Sequence, residues 1–183
     1  MVPRIKRAVA TFFAFVAMAG ASVAQTDRLD RLFERLKEPE LAEWEQVEDE
    51  IWVEWSKSGS ASADLLLDRG RDALQAGNYP LAIEHLTALV DHAPAFAEGY
   101  NARATAFYQA GELGLSVQDI EAAVALNPRH FGALSGLAMI FEGLGMLAEA
   151  LDVYEAVHTI HPHRPDVEDA IIRLEKDLGD VDL

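Results

Sequence analysis

The sequence predicts an all-α fold, and two ladders of residues support this prediction. Glycine recurs every 34 residues at Gly77, Gly111 and Gly145, and proline recurs at the same interval. Each interval holds two apolar-periodic stretches, with glycine between them and proline soon after the second. Because glycine suits a tight turn and proline ends a helix, each interval is a helix–turn–helix unit. Units of this period stack on one another, so we expect a short α-solenoid of three hairpins, with an N-terminal helical hairpin and a C-terminal capping helix. The prolines are Pro94, Pro128 and Pro162.

Residues 1–24 have the pattern of a secretory signal peptide. Three basic residues precede an apolar run over residues 8–21, and small residues flank Val23, as at a cleavage site. The run is shorter than the roughly 20 residues of a membrane span, and the absence of cysteine excludes a lipoprotein anchor. We expect cleavage to leave Gln25 as the first residue of a periplasmic protein. An uncleaved N-terminal membrane anchor is the alternative.

Residues 25–60 form an acidic, tryptophan-rich helical hairpin with a Ser/Gly linker at its end. Pro39 separates two helical apolar stripes. All three tryptophans of the chain belong to the second stripe, within a span of 12 residues. One interpretation is that they dock the hairpin on the first repeat as a cap. The other is a candidate interface for a partner, since tryptophan is enriched in binding hot spots. The acidic run 43–54 is interpreted as a solvated helix face. The tryptophans are Trp44, Trp52 and Trp55.

Residues 61–164 hold the repeats, which span 63–96, 97–130 and 131–164. In each first helix a large residue is followed four positions later by a small one, so that neighbouring helices can approach and interlock. This pattern resembles the tetratricopeptide repeat, a helix–turn–helix unit of 34 residues with the same columns. Arg103 replaces a residue that is often leucine in that family, and we predict that it pairs with Asp119 across the hairpin. The large column is Leu66, Tyr100 and Leu134, and the small column is Gly70, Ala104 and Ala138.

The resemblance places the first helices along a concave face, where solenoids bind their partners. Some members bind C-terminal carboxylates of chaperones through a clamp of Lys, Asn and Arg. The clamp is absent here, because the matching places carry Leu67, Arg71, Ala102, Gly132 and Gly136. We instead predict a groove for an extended peptide or a helix. Its candidate residues are Leu67, Arg71, Asn101, Thr105, Tyr108, Gln109, Met139 and Glu142.

Residues 165–183 comprise a capping helix and a tail. Pro165 opens an amphipathic segment over residues 166–178, with apolar side chains on one face and charged ones on the other. The end of a repeat stack needs such a polar-faced cap.

Charge and composition restrict the function. The formal net charge is −16, and cleavage after residue 24 leaves 12 basic residues against 31 acidic ones, or −19. Such a surface repels nucleic acid and anionic membranes. No nucleophile elbow, phosphate loop or dinucleotide fingerprint is present, and His158, His161 and His163 have no fourth metal ligand nearby.

We therefore expect no enzyme, cofactor or metal site. The expected function is an exported protein-interaction module or scaffold of the cell envelope. The alternative is a structural subunit that self-associates through the tryptophan-rich hairpin.

Overall fold

The computed structural model describes residues 23–181 and confirms the predicted all-α repeat fold. Residues 1–22, which make up most of the predicted signal peptide, lie outside the described residues. Within 23–181 the chain forms nine α-helices and no strand. None of these helices is long and apolar enough to cross a membrane. The helices are α1 (Val23–Leu36), α2 (Trp44–Trp55), α3 (Ala61–Gln75), α4 (Tyr79–His92), α5 (Ala97–Gln109), α6 (Leu113–Leu126), α7 (Phe131–Gly143), α8 (Leu147–Ile160) and α9 (Pro165–Val181).

The glycine ladder marks three identical turns that join α3 to α4, α5 to α6 and α7 to α8. Gly77, Gly111 and Gly145 adopt φ angles of 69°, 81° and 72°, a left-handed conformation that favours glycine. In each turn the glycine N–H donates to the carbonyl three residues back, and the next N–H donates to the carbonyl five residues back. This pair of bonds is the Schellman motif, which ends a helix while satisfying its last carbonyls. The sharp reversal makes each helix pair antiparallel.

The helix pairs stack in chain order, and small residues set their spacing. A Cβ atom at Gly70 would lie 2.5 Å from Leu86, so α3 and α4 touch there without room for a side chain. Apolar residues of α3, α4 and α5 form one buried cluster. A second, larger cluster contains residues of the N-terminal hairpin together with residues of α5 to α9. The core is therefore divided between the first helix pair and the rest of the molecule.

The predicted pairing of Arg103 with Asp119 is confirmed. The guanidinium donates from Nε to Asp119 Oδ2 at 2.6 Å and from Nη2 to Oδ1 at 2.8 Å. Both side chains are largely buried, and the bond to Asp119 raises the pKa of Arg103 above its ordinary value. A two-point bond between α5 and α6 fixes the register of the middle hairpin.

The N-terminal hairpin, α1 and α2, does not cap the first repeat as predicted. Its aromatic residues pack on the loops that precede α7 and α9. Trp55 stacks on His130 with ring centroids 4.2 Å apart, and Trp44 meets His161 edge-on at 5.5 Å. The linker after α2 reaches the first repeat, where Ser58 Oγ donates to Asp64 and Ser56 Oγ accepts from Arg71 at 3.0 Å. An apolar stripe does not encode which surface covers it, and here the aromatic cluster around Phe131 covers the hairpin.

Helix α9 covers the open end of the stack. Val167 and Leu174 are fully buried against α8, while the charged residues face outward. Arg173 of α9 donates to both carboxylate oxygens of Glu142 on α7, at 2.6 and 3.2 Å. The segment has the amphipathic character that the sequence predicted for a cap.

Candidate functional site

A cleft of about 340 Å³ opens between α5 and α7. Asn101, Thr105 and Tyr108 lie on successive turns of α5 and form one side, because residues four and three apart share a helix face. The facing side of α7 carries Gly132, against which the Trp52 ring packs, and Gly136, which has no side chain to fill the space. A Cβ added at Gly136 would meet only Ile120, at 3.6 Å. The cleft therefore exists because α7 has small residues where α5 has larger ones.

The cleft presents unpaired polar groups beside exposed apolar surface. Within the described residues the side chains of Gln109 and Tyr108 make no hydrogen bond, while Tyr108 and Met139 are 37% and 51% exposed. Ser135 accepts a bond of 3.4 Å from Arg164, whose guanidinium also binds Asp166. Amide and hydroxyl groups of this kind can bond the main chain of a peptide, and the apolar side chains can pack on it.

The N-terminal hairpin forms the wall at one end of the cleft. Trp52 of α2 lines it next to Gly132, the first small residue of α7. Its indole N–H donates to Glu48 at 3.0 Å, and its ring meets Trp55 and Phe131 edge-on, with centroids 5.2 and 5.5 Å away. These contacts hold the ring in one orientation.

Two histidine–carboxylate bonds join neighbouring elements. Nε2 of His130 lies 2.9 Å from Glu98, and Nε2 of His161 lies 2.9 Å from Glu48 of the hairpin. His130 Nδ1 accepts the backbone N–H of Ala133 at the start of α7, so the proton sits on Nε2 and is donated to Glu98. Glu98 also accepts from Arg71 and Asn101, which satisfies its buried carboxylate.

Glu48 of the hairpin is bonded to His161 of the stack, and this contact depends on its charge. Burial alone would raise the pKa of Glu48, but hydrogen bonds from His161 and Trp52, together with the charges of His161 and Arg164, hold this pKa below its ordinary value. The ionised form of Glu48 is therefore the one that the docked hairpin stabilises.

Five of the eight predicted groove residues line the cleft together. The structure brings α5 and α7 side by side, as the repeat register implied, and adds Ser135, Gly136 and Arg164 to the lining. Arg164 lies before α9, outside the first helices, and its position depends on the bonds to Asp166 and Ser135. The five predicted residues are Asn101, Thr105, Tyr108, Gln109 and Met139.

The other three predicted groove residues do not line this cleft. Leu67 is 1% exposed and belongs to the buried cluster that contains Ala102. Burial of a leucine side chain stabilises the fold by about 1.5–3 kcal/mol, which favours this position over an exposed one. Arg71 turns toward the buried carboxylate of Glu98 at 2.8 Å. Glu142 is bound by Arg173 and accepts from the Tyr154 hydroxyl at 3.4 Å; burial and Glu142 raise the pKa of Tyr154 to about 12.

The tryptophans and part of the acidic run of the hairpin pack against the stack. All three tryptophans contact rings of the stack or of each other, so the hairpin does not present them as a separate aromatic patch. The acidic run is only partly a solvated face, because Glu54 is buried near Arg28 and Lys57, and Glu48 faces His161. Sequence reasoning missed Trp52 as a cleft residue because that contact joins α2 to α7, far apart in the chain.

The histidines near residue 162 do not form a metal site with their neighbours. Among residues 23–181 there is no group of three or more His, Asp or Glu side chains arranged to hold an ion. His161 is bonded to Glu48, and His163 lies 3.0 Å from the carbonyl of Glu38. These histidines hold the hairpin against the loop before α9.

Known proteins resemble this chain in both sequence and fold. The tetratricopeptide repeat family model matches residues 67–120 and 101–165. A TPR repeat-containing protein of Rhizobium etli is 34% identical over 167 residues, which cover 90% of this chain and 81% of that protein.

Two solved structures extend the likeness to the fold. The first TPR domain of Spaghetti (RPAP3), solved with the HSP90 peptide SRMEEVD, is 26% identical; the match covers 66% of this chain and 98% of that domain, with a TM-score of 0.62. MamA shares the fold at 19% identity and a TM-score of 0.60, over 88% of this chain and 87% of that one.

Proposed function

This chain belongs to the tetratricopeptide repeat family, and from that premise we propose that it is an exported, non-catalytic protein-interaction module. It binds an extended peptide segment of a partner in the cleft between α5 and α7. The observation that carries this proposal is the cleft itself, which combines the unpaired polar groups of Gln109 and Tyr108 with the exposed side chain of Met139. The solved relative with a bound HSP90 peptide supports a peptide as the kind of ligand.

The dimensions of the cleft favour a short segment. Gly132 and Met139 are seven residues apart on α7, or about 10 Å of helix axis. About three residues of an extended chain span that distance. A volume of about 340 Å³ lies at the small end of the range for ligand pockets, which is about 300–1,000 Å³. One large apolar side chain with its flanking main chain fits these limits.

The charge of the protein favours one kind of partner peptide. The chain carries a net charge of −16. Among the described residues that line the cleft there is no carboxylate, and the one charged side chain, Arg164, is paired with Asp166. The cleft therefore suits an uncharged or apolar residue, while the surrounding field attracts a peptide of net positive charge. An acidic peptide such as SRMEEVD is disfavoured, since the matching clamp positions include Leu67, Ala102 and Gly136.

Peptide selection tests the binding function. We expect random 12-residue peptides selected on the protein to be enriched in Lys and Arg and to share one large apolar residue. The Asn101→Ala/Tyr108→Ala double variant should weaken the best peptide by about tenfold or more, with Leu115→Ala, an exposed residue outside the cleft, as the control. Failure to select any peptide, or equal binding by the double variant, would contradict this function.

The proposed export rests on residues 1–24, with the basic start and apolar run described above. Cleavage places the mature protein in the periplasm, and an uncleaved segment would anchor it to the membrane. Fractionation of cells expressing the full chain, with N-terminal sequencing of the recovered protein, distinguishes these outcomes. A mature start at Gln25 in the soluble envelope fraction is expected; recovery in the cytoplasm would overturn export.

A further inference from the structure

The cleft is built from two parts of the chain that are far apart in sequence. Helices α5 and α7 supply its sides, and Trp52 of α2 supplies the wall beside Gly132. Without the hairpin, the space between the first helices would continue past the start of α7. With the hairpin docked, the cleft is bounded at that end by an indole ring.

The ring of Trp52 is fixed before any ligand arrives. Its N–H is bonded to Glu48, and Trp55, His130 and Phe131 each meet it edge-on, with centroids between 5.2 and 5.7 Å away. A side chain held by contacts on several sides loses little conformational entropy when it binds a ligand. Trp52 is therefore a preorganised surface.

The absence of a side chain at Gly132 leaves the space that the Trp52 ring occupies. A Cβ at this position would lie 2.4 Å from Cη2 and 2.9 Å from Cζ2 of Trp52, so any other residue would displace the indole. By contrast, a Cβ at Gly136, one turn further along α7, makes only an ordinary contact with Ile120. The smallest residue thus lies where the hairpin enters the cleft.

Polar contacts hold the hairpin in this position. Arg129, two residues before α7, donates to Asp30 of α1 at 2.6 Å and lies over the ring of Phe33 at 4.3 Å. Glu48 is bonded to His161 before α9. The hairpin is therefore tied to the loops at the N-terminal ends of both α7 and α9.

We propose that the docked hairpin is part of the binding site and that Trp52 contacts the bound peptide directly. This inference rests on the proposed function of the cleft. Trp52 packs against a side chain at one end of the bound segment, while Tyr108 and Met139 contact its other end. The occupant is a partner peptide of net positive charge, attracted by the field of the acidic chain around the cleft.

The test uses the full mature chain and the 12-residue peptide selected on it, labelled with fluorescein. Trp52→Ala should weaken binding by at least about tenfold, and Val53→Ala, an exposed neighbour on α2, should leave it unchanged. Gly132→Ala displaces the ring without removing it and should weaken binding by a similar factor. Gly143→Ala, on the same helix but outside the cleft lining, is the matched control and should leave binding unchanged.

Tryptophan fluorescence gives a readout that a purely structural role would not produce. Unlabelled peptide should change the emission of the wild type, and Trp52→Phe should abolish that change. Trp44→Phe, in a hairpin residue that faces His161 away from the cleft lining, should retain it. Loss of the signal in Trp44→Phe and its survival in Trp52→Phe would overturn the inference.

The outcomes separate the two proposals. If the Asn101→Ala/Tyr108→Ala variant loses the peptide but Trp52→Ala and Gly132→Ala bind as the wild type does, the cleft function stands and the hairpin is not part of the site. If all these variants bind equally well, both proposals fail. If Trp52→Ala does not fold, Gly132→Ala and the fluorescence of Trp52→Phe decide the question.

Discussion

Two positions one turn apart on α7, Gly132 and Gly136, are occupied by glycine for different structural reasons. Gly132 leaves room for the Trp52 ring, whereas Gly136 leaves open space in the cleft. Neither has the positive φ angle of the turn glycines, so backbone conformation does not require glycine at either position. The consequence of adding one methyl group therefore depends only on what lies next to it.

We predict opposite effects on stability for the two alanine substitutions. Gly136→Ala should raise the free energy of unfolding by about 0.5–1 kcal/mol, because alanine loses less backbone entropy in a helix. Gly132→Ala should lower it by about 1–3 kcal/mol, since Trp52 must move from a tightly packed site. Urea denaturation of both variants measures the difference. Equal effects of the same sign would show that Trp52 does not pack on Gly132.

A second prediction at this scale concerns the Arg103–Asp119 pair. A double-mutant cycle with Arg103→Met and Asp119→Ala should give a coupling free energy of about 2 kcal/mol, because both groups are largely buried and bond at two points. The half-exposed pair of Arg173 and Glu142 is the control and should give less than about 1 kcal/mol. Chemical denaturation provides the four stabilities for each cycle, and equal coupling in the two pairs would contradict this reading.

At the level of elements, the hairpin α1–α2 is attached to the stack by aromatic contacts and by a few bonds of opposite charge. Ring contacts with His130, Phe131 and His161 supply packing, and the bond of Glu48 to His161 adds a dependence on protonation. Because carboxylate bonds weaken when the carboxylate is protonated, docking should be sensitive to acid.

The pH dependence follows from the lowered pKa of Glu48. Because the folded-state pKa lies below the unfolded value of 4.5, Glu48 contributes stability above that pH, and the contribution is lost as pH falls below it. Glu48→Gln should therefore cost about 1–2 kcal/mol at pH 7 and progressively less below pH 4.5. Urea denaturation across this range is the measurement. Glu45→Gln, an exposed carboxylate on α2, should show no such trend.

Across the described part of the molecule, the buried apolar residues are unevenly distributed. The hairpin, the later repeats and α9 share one large buried cluster, while α3 and α4 form a smaller one with α5. Leu65 and Leu81 of the first pair remain 49% and 38% exposed, and the hairpin that was predicted to cover this end docks elsewhere. In repeat stacks, each unit depends on its neighbours, so a pair packed on one side only is the weakest.

We predict that α3 and α4 open before the rest of the molecule. Native-state hydrogen exchange should show lower protection for residues 61–92 than for α5 to α8, because the first pair lies outside the larger buried cluster. Mass spectrometry of exchanged peptides measures this directly. Protection at residues 61–92 equal to that of α7 would show that the first pair and the larger cluster unfold as one unit.

The sequence by itself determined the features that depend on local spacing. The glycine and proline ladders specified the three turns, and the column register brought Asn101, Thr105 and Tyr108 to one face and paired Arg103 with Asp119. Such features need only the helical period and the 34-residue repeat, since each unit contacts its neighbour in the same way.

Only the tertiary structure decided where the hairpin docks and what it does there. The stripe containing Trp52 predicts burial but does not specify which surface buries it, because apolar attraction has no direction. The surface around Phe131 provides rings, a glycine notch and polar partners for Glu48 and Asp30, and these are assembled from loops distant in the chain. The position of Leu67 was likewise decided by neighbouring helices, since its column alone would have placed it in the groove.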